Sequence, residues 1–254
     1  MGKYEEQLAY ELYFWEMELM KKPSFMGNLA TKVQTKINSY IPKKVHQAIT
    51  VTIKQMVRAV LFGATHTTSA MPDQQVSLLH RESLVKSKID NYSKTGAAEG
   101  GITGAGGFLM SMADFPILIG IKIKLLFEIA ALYGFDTKDY RERLYILHIF
   151  QLAFSSKVGS QKVYQQLQNW DQKLIVLPES ADQFDWQTFQ QEYRDYIDLA
   201  KMAQLLPVVG AAVGAVANYQ LLQKLGKTAM MAYRLRILSK RDGSIDIKAL
   251  AIEG

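Results

Sequence analysis

The sequence predicts an all-α fold: one helical domain of about eight or nine helices over residues 1–240, followed by a mobile tail at 241–254. Three observations predict it. Apolar residues return every three or four positions along nearly the whole chain. No alternating apolar and polar run lasts long enough for a sheet. No segment recurs with the fixed period of a helical or propeller repeat.

The first helix is marked by Leu8, Leu12, Trp15 and Leu19, with glutamates on its other faces. Leu29, Val33, Ile37 and Ile41 mark a second. Pro42 suits the first turn of a third, which Val45, Ile49, Ile53, Met56 and Val60 continue. The run "FGATHTTSAMPD" (62–73) has the Gly, Thr, Ser and Pro content of a loop. A fourth helix carries Val76, Leu79, Ser83 and Lys86, with Ile89 and Tyr92 near its end. After a glycine-rich stretch, 117–134 reads as a strongly apolar helix stopped by Gly134. Another follows over 135–156, with Asp136 or Thr137 as its N-cap. Further helices fit 160–176, 183–203 (opened near Asp182) and 205–240, while "RDGSIDIKALAIEG" has no helical period.

Composition narrows the function classes. With 48% hydrophobic and 21% charged residues among 254, the chain has a globular balance and enough length for a sizeable core. It has no cysteine, and therefore no disulfide framework, thiolate nucleophile or Cys-based zinc site. The start "MGKYEEQLAYELYF" is acidic where a signal peptide would be basic. Glu6 stands where myristoylation requires Ser or Thr. An intracellular location is the expectation. Residues 21–94 carry twelve Lys or Arg against three acids, so most of the net charge of +6 arises in that quarter. Such a surface attracts phosphate, on anionic lipid or on nucleic acid.

The stretch "TGAAEGGITGAGGFLMSMADFP" (95–116) holds six of the seventeen glycines. It is not a phosphate loop. Gly104 and Gly106 begin a G-x-G-x-x-G, but Leu109 stands at its third glycine and no strand precedes it. Gly101 and Gly106 have Walker A spacing, but Gly107 and Phe108 replace the required Lys and Ser or Thr. A four-residue period is present instead. Gly96, Gly100 and Gly104 make one row, with Ala97 and Gly101 beside it, and Gly210, Gly214 and Asn218 repeat the spacing. Small residues every four positions flatten a helix face and let another backbone come close, in a soluble core or in a bilayer. The second small-residue segment lies in 22 uncharged residues between Lys201 and Lys224. Gln204, Pro207, Asn218, Gln220 and Gln223 interrupt it, and the first segment is broken by Asp114 and Pro116. Full spans are therefore not expected; shallow insertion or core packing is. A hairpin of the two segments would satisfy both.

At "TGAAEGGITGAGGFLMSMADFPIL", "YGFD" (133–136) and "LLPVVGAAVGAVANY" the sequence resembles the EcsC family, over roughly residues 5–240. "IPKKVHQAI" and "AYRLRIL" extend the likeness towards both ends, while Glu99 stands where the family pattern suggests a small or hydroxyl residue. The resemblance implies a helical bacterial protein associated with the membrane and linked to an ABC-type exporter. It implies no catalytic residues and no cofactor.

Candidate chemistry is sparse. His46, His66, His80 and His148 form no H-E-x-x-H or comparable ligand spacing, so no metal site is expected. His148 lies in the apolar line of its helix and reads as a core histidine. Asp182, Asp185, Glu192, Asp195 and Asp198 read as a solvated acidic face, not as a glycosidase pair. Asp114 suits the N-cap of a helix opening at Pro116. Lys32, Lys36, Lys43, Lys44, Lys54 and Arg58 are the candidate contacts to an anionic surface. No helix-turn-helix, zinc finger or aromatic sheet accompanies them, which argues against nucleic acid. Gly96, Gly100, Gly104, Gly107, Asp114, Pro116, Gly134, Pro207, Gly210, Gly214 and Asn218 are the candidates for helix packing or insertion. The expectation is a non-enzymatic accessory protein, peripheral or shallowly inserted at the cytoplasmic membrane face, with exporter subunits and lipid as partners. Two alternatives stand beside it. One is a lipid-binding protein holding an acyl chain between helices; the other is a hydrolase built on Asp114 and a histidine.

Overall fold

The computed structural model describes residues 2–21, 43–62, 76–105, 107–180, 183–185 and 211–242. The helix expected over 29–41, most of the loop over 62–73, most of 183–203 and the tail beyond Asp242 lie outside these residues, as do Lys32, Lys36, Pro207 and Gly210, while Phe62 and residues 241–242 are helical. Within them the chain is all-α, with eight helices and no sheet. They are α1 (Lys3–Met20), α2 (Lys43–Phe62), α3 (Leu78–Ala105), α4 (Gly107–Leu132), α5 (Tyr140–Phe154), α6 (Lys157–Gln168), α7 (Trp170–Val176) and α8 (Ala211–Asp242).

The frame is an antiparallel pair, α3 against α8, with α4 packed on both. Small residues allow the approach. A Cβ on Gly100 would stand 2.6 Å from the Gly214 carbonyl oxygen and 2.5 Å from Asn218 Nδ2. One turn further along, Gly96 lies against the Leu222 side chain. Helix α5 is the most enclosed element: Leu144 to Phe154 are all buried. It is surrounded by α2, α4, α6 and α8, so its hydrophobic period is masked by burial on every side. Helix α1 lies across α8 and α6, burying Leu8, Ala9 and Leu12.

Several boundaries differ from the sequence expectation. The fourth helix does not end near Tyr92. It runs through the glycines to Ala105, because Gly96 and Gly100 are buried on α8 and that packing offsets their low helix propensity. Asp114 and Pro116 do not open a helix either, since α4 begins at Gly107 and both lie inside it. Pro116 is on the exposed side while Phe115, Leu118 and Ile119 are buried beside it, so the apolar face holds the helix through the proline. The N-cap of α5 is Asp139, which accepts from the Arg141 amide at 2.9 Å, not Asp136 or Thr137. The helix expected over 160–176 is two: Ser156 caps α6 three residues early, and Asn169 breaks the run before Trp170.

Gly134 does stop α4. Its φ of 88° is left-handed, and the amides of Gly134 and Phe135 return to the Ala131 and Ala130 carbonyls at 2.9 and 3.0 Å, a Schellman ending.

Candidate functional site

The charged residues in the interior fall into separate clusters. The first joins α1, α3, α4 and α8. Arg234 and Glu82, both essentially inaccessible, form a two-pronged pair, Nε to Oε1 and Nη2 to Oε2, each at 2.6 Å. Tyr4 and Tyr133 donate to the same carboxylate at 2.9 and 3.0 Å. Arg234 Nη1 reaches Glu11, at the cluster's solvent side, at 2.7 Å. Every oxygen of Glu82 is thus used. Burial would lower the arginine's pKa, but the two carboxylates hold it above its ordinary value, and burial pushes the Tyr4 hydroxyl up to about 12.

A second cluster lies two residues along α8. Arg236 pairs with Glu142 of α5, and the Tyr233 hydroxyl donates to the other carboxylate oxygen at 2.7 Å. The guanidinium lies over Phe135 and Tyr145, at 4.2 and 4.8 Å from the ring centroids. Burial raises the Glu142 carboxyl above its ordinary value, with Arg236 and Tyr233 opposing it.

His148 occupies a third position, against Trp170. Its Nδ1 faces Gln151 Oε1 at 3.2 Å and its Nε2 faces the Lys173 ammonium at 3.0 Å. The ammonium donates, so Nε2 accepts and Nδ1 carries the proton: the ring is neutral. Burial, reinforced by Lys173, lowers its pKa to about 3. Beyond Lys173 an open groove is lined by Lys162, Gln165, Gln166, Asn169, Gln172 and Val176. These clusters tie side chains of different helices together, an arrangement that locks helices in register, although Arg236 Nε and Trp170 Nε1 are buried without a hydrogen-bond partner.

The glycine-rich end is different. Lys122 of α4 is fully buried, and its amine donates to Asn218 Oδ1 at 3.0 Å and to the Leu118 carbonyl at 3.3 Å. No carboxylate pairs with it among the described residues. Burial alone lowers its pKa to about 7. Asn218 in turn reaches the Gly214 carbonyl at 3.4 Å, directly opposite Gly100. Around this junction Ile102, Ile117 and Val216 are 62%, 56% and 56% exposed, one on each of the three helices. Two turns further along the same helices, at near-equal spacing, stand the exposed Lys94, Lys124 and Lys224.

The residues singled out in the sequence fall as follows. Gly96, Gly100, Gly214 and Asn218 meet at the α3–α8 junction. Gly104 lies in the last turn of α3 and Gly107 opens α4, and Asp114 and Pro116 follow within α4. Gly134 lies at the far end of α4. Lys43 and Lys44 open α2; Lys54 and Arg58 are exposed on it. Asp114 makes no hydrogen bond or ion pair with a histidine among the described residues. Nor does any group of three His, Asp or Glu there approach metal-binding geometry. Sequence reasoning missed Glu82, Lys122, Glu142, Arg234 and Arg236. The available signal was a charge with apolar neighbours on all helical sides, as in "AYRLRIL" and "ILIGIKIKLLF".

The class so defined is an all-α protein whose interior charges join helices, with a small-residue junction at one end carrying an exposed apolar fringe. The chain belongs to the EcsC protein family, which it matches over residues 6–238. It is similar to Protein EcsC of Bacillus subtilis (strain 168), 44% identical over 236 residues that cover 93% of this chain and 97% of that one. It is also similar to the uncharacterized protein YdbA of the same organism, 32% identical over 151 residues, 59% of this chain and 56% of that one. No solved structure matches it.

Proposed function

We propose that the protein is a non-enzymatic accessory factor that binds the cytoplasmic membrane face through its glycine-rich end. The observation that carries this reading is the arrangement of Ile102, Ile117 and Val216 beyond a level of three exposed lysines. At 1.5 Å per residue the lysines stand about 10–12 Å below the apolar residues, close to the depth of a shallowly inserted helix. The lysines would then meet anionic headgroups while the three apolar side chains enter the acyl boundary. No described helix is long and apolar enough to cross a membrane, which agrees with an interfacial mode. Lys54 and Arg58, exposed on α2, add to the basic surface. The tie to an ABC-type exporter rests on the family resemblance.

Co-sedimentation with neutral and anionic vesicles, at low and high salt, tests this. Wild type is expected to bind anionic vesicles and to retain a large share of that binding at high salt, where surface charge is screened. The Ile102→Asp, Ile117→Asp, Val216→Asp variant should keep only the salt-sensitive part. Absence of binding to any vesicle would overturn the reading.

A further inference from the structure

We propose that Lys122 is a proton-controlled latch on the glycine-rich junction: neutral, it holds α3, α4 and α8 closed; protonated, it favours their separation towards the lipid. The inference rests on the membrane reading for its purpose, but its physics does not.

The geometry suits a neutral amine. A neutral amine has two N–H donors, and the site supplies two acceptors, Asn218 Oδ1 and the Leu118 carbonyl. An ammonium would bring a full charge into a buried site where, among the described residues, no carboxylate pairs with it. The surrounding charges are committed or turned outward. On α4, Glu128 holds Lys88 of α3 at 3.2 Å, Asp114 lies two turns before the amine, and Lys124 is exposed. On α3, Lys94 pairs with Asp90, and Glu99 stands half-buried next to Gly100, while burial is the cause of the amine's lowered pKa. On α8, Lys224 is exposed, and so are Lys54 and Arg58 on α2, which packs against α4. The junction also has no slack. The Gly100 backbone lies against Gly214 and Asn218 without room for a methyl group, so hydrating a charged Lys122 requires the helices to part.

The sign follows from linkage. In the closed state the amine titrates near 7; once exposed it returns to its ordinary 10.5. The open state therefore binds the extra proton between these values. Opening should rise about tenfold for each pH unit lost across that window, then level off below about 7, where both states are charged.

The test is amide hydrogen exchange of the full chain in solution without vesicles, read as protection factors for residues 96–101 and 214–222 from about pH 6 to about pH 9. In wild type, protection should be flat at the acid end and climb about tenfold per unit above neutrality. Lys122→Met, which keeps the length and cannot take a proton, should be protected independently of pH. Asn218→Asp gives the amine a counter-charge, so the closed state keeps the proton and the slope should vanish by a second route. That variant decides the matter if Lys122→Met does not fold. Flat protection in wild type, or an unchanged slope in a folded variant, would overturn the latch. A slope without vesicle binding would sink the membrane reading alone, and salt-resistant binding without a slope would sink the latch alone.

Discussion

At the scale of single residues, the energetics concentrate in a few buried charges. Glu82 receives Arg234 twice, Tyr4 and Tyr133, so removing it leaves the buried guanidinium with only the half-exposed Glu11 as a counter-charge. Glu82→Ala should cost about 3–5 kcal/mol in urea denaturation. Glu11→Gln, at the exposed edge of the same cluster, should cost less than about 1 kcal/mol. A loss at Glu82 no larger than that at Glu11 would contradict a structural role for the cluster. Little of this could be read from the sequence. Glu82 and Arg234 are 152 positions apart, and no period connects them; only the setting of Arg234 among apolar neighbours announces a buried charge. His148 was legible as a core histidine, because it lies in the apolar line of α5. Its partner Lys173, contributed by α7, was not.

At the scale of elements, the α3–α8 junction explains why the glycines are where they are. A helix of 28 residues carrying this much glycine forms because α8 covers it, not because its own propensity favours it. Gly100→Ala should therefore destabilise the protein by about 1–3 kcal/mol, since the methyl group must displace Gly214 backbone. Gly120→Ala, in open space on α4, should stabilise by up to about 1 kcal/mol. Thermal unfolding of the two variants gives opposite shifts if the junction is as tight as its geometry, and shifts of one sign if it is not. The four-residue spacing of small residues was visible in the sequence. The helix boundaries were not, since Gly, Asp and Pro are local stop signals and only the neighbouring helices decide whether a stop is obeyed. At Asp114 and Pro116 burial of Phe115, Leu118 and Ile119 overrides the signal; at Gly134, where φ is positive and the carbonyls are capped, the signal stands.

At the scale of the whole molecule, one end of the bundle differs from the rest. Elsewhere among the described residues, the interior carboxylates and guanidiniums are paired. At the glycine-rich end, each of three helices carries an exposed apolar side chain, and the enclosed Lys122 amine has no carboxylate partner among the described residues. The basic surplus was legible as a total, but its relation to the apolar fringe was not. That relation needs three helices aligned side by side, and Lys94, Lys124 and Lys224 lie far apart in the chain. The chain has no cysteine, which allows a direct measurement. Single cysteines at Ile102, Ile117, Val216, Phe14 and Ile175 would be labelled with an environment-sensitive fluorophore and titrated with anionic vesicles. Membrane binding through the glycine-rich end predicts a blue shift, with quenching by shallow lipid-borne quenchers, at 102, 117 and 216, and an unchanged spectrum at 14 and 175. Unchanged spectra at the first three positions, or shifts confined to the last two, would contradict it.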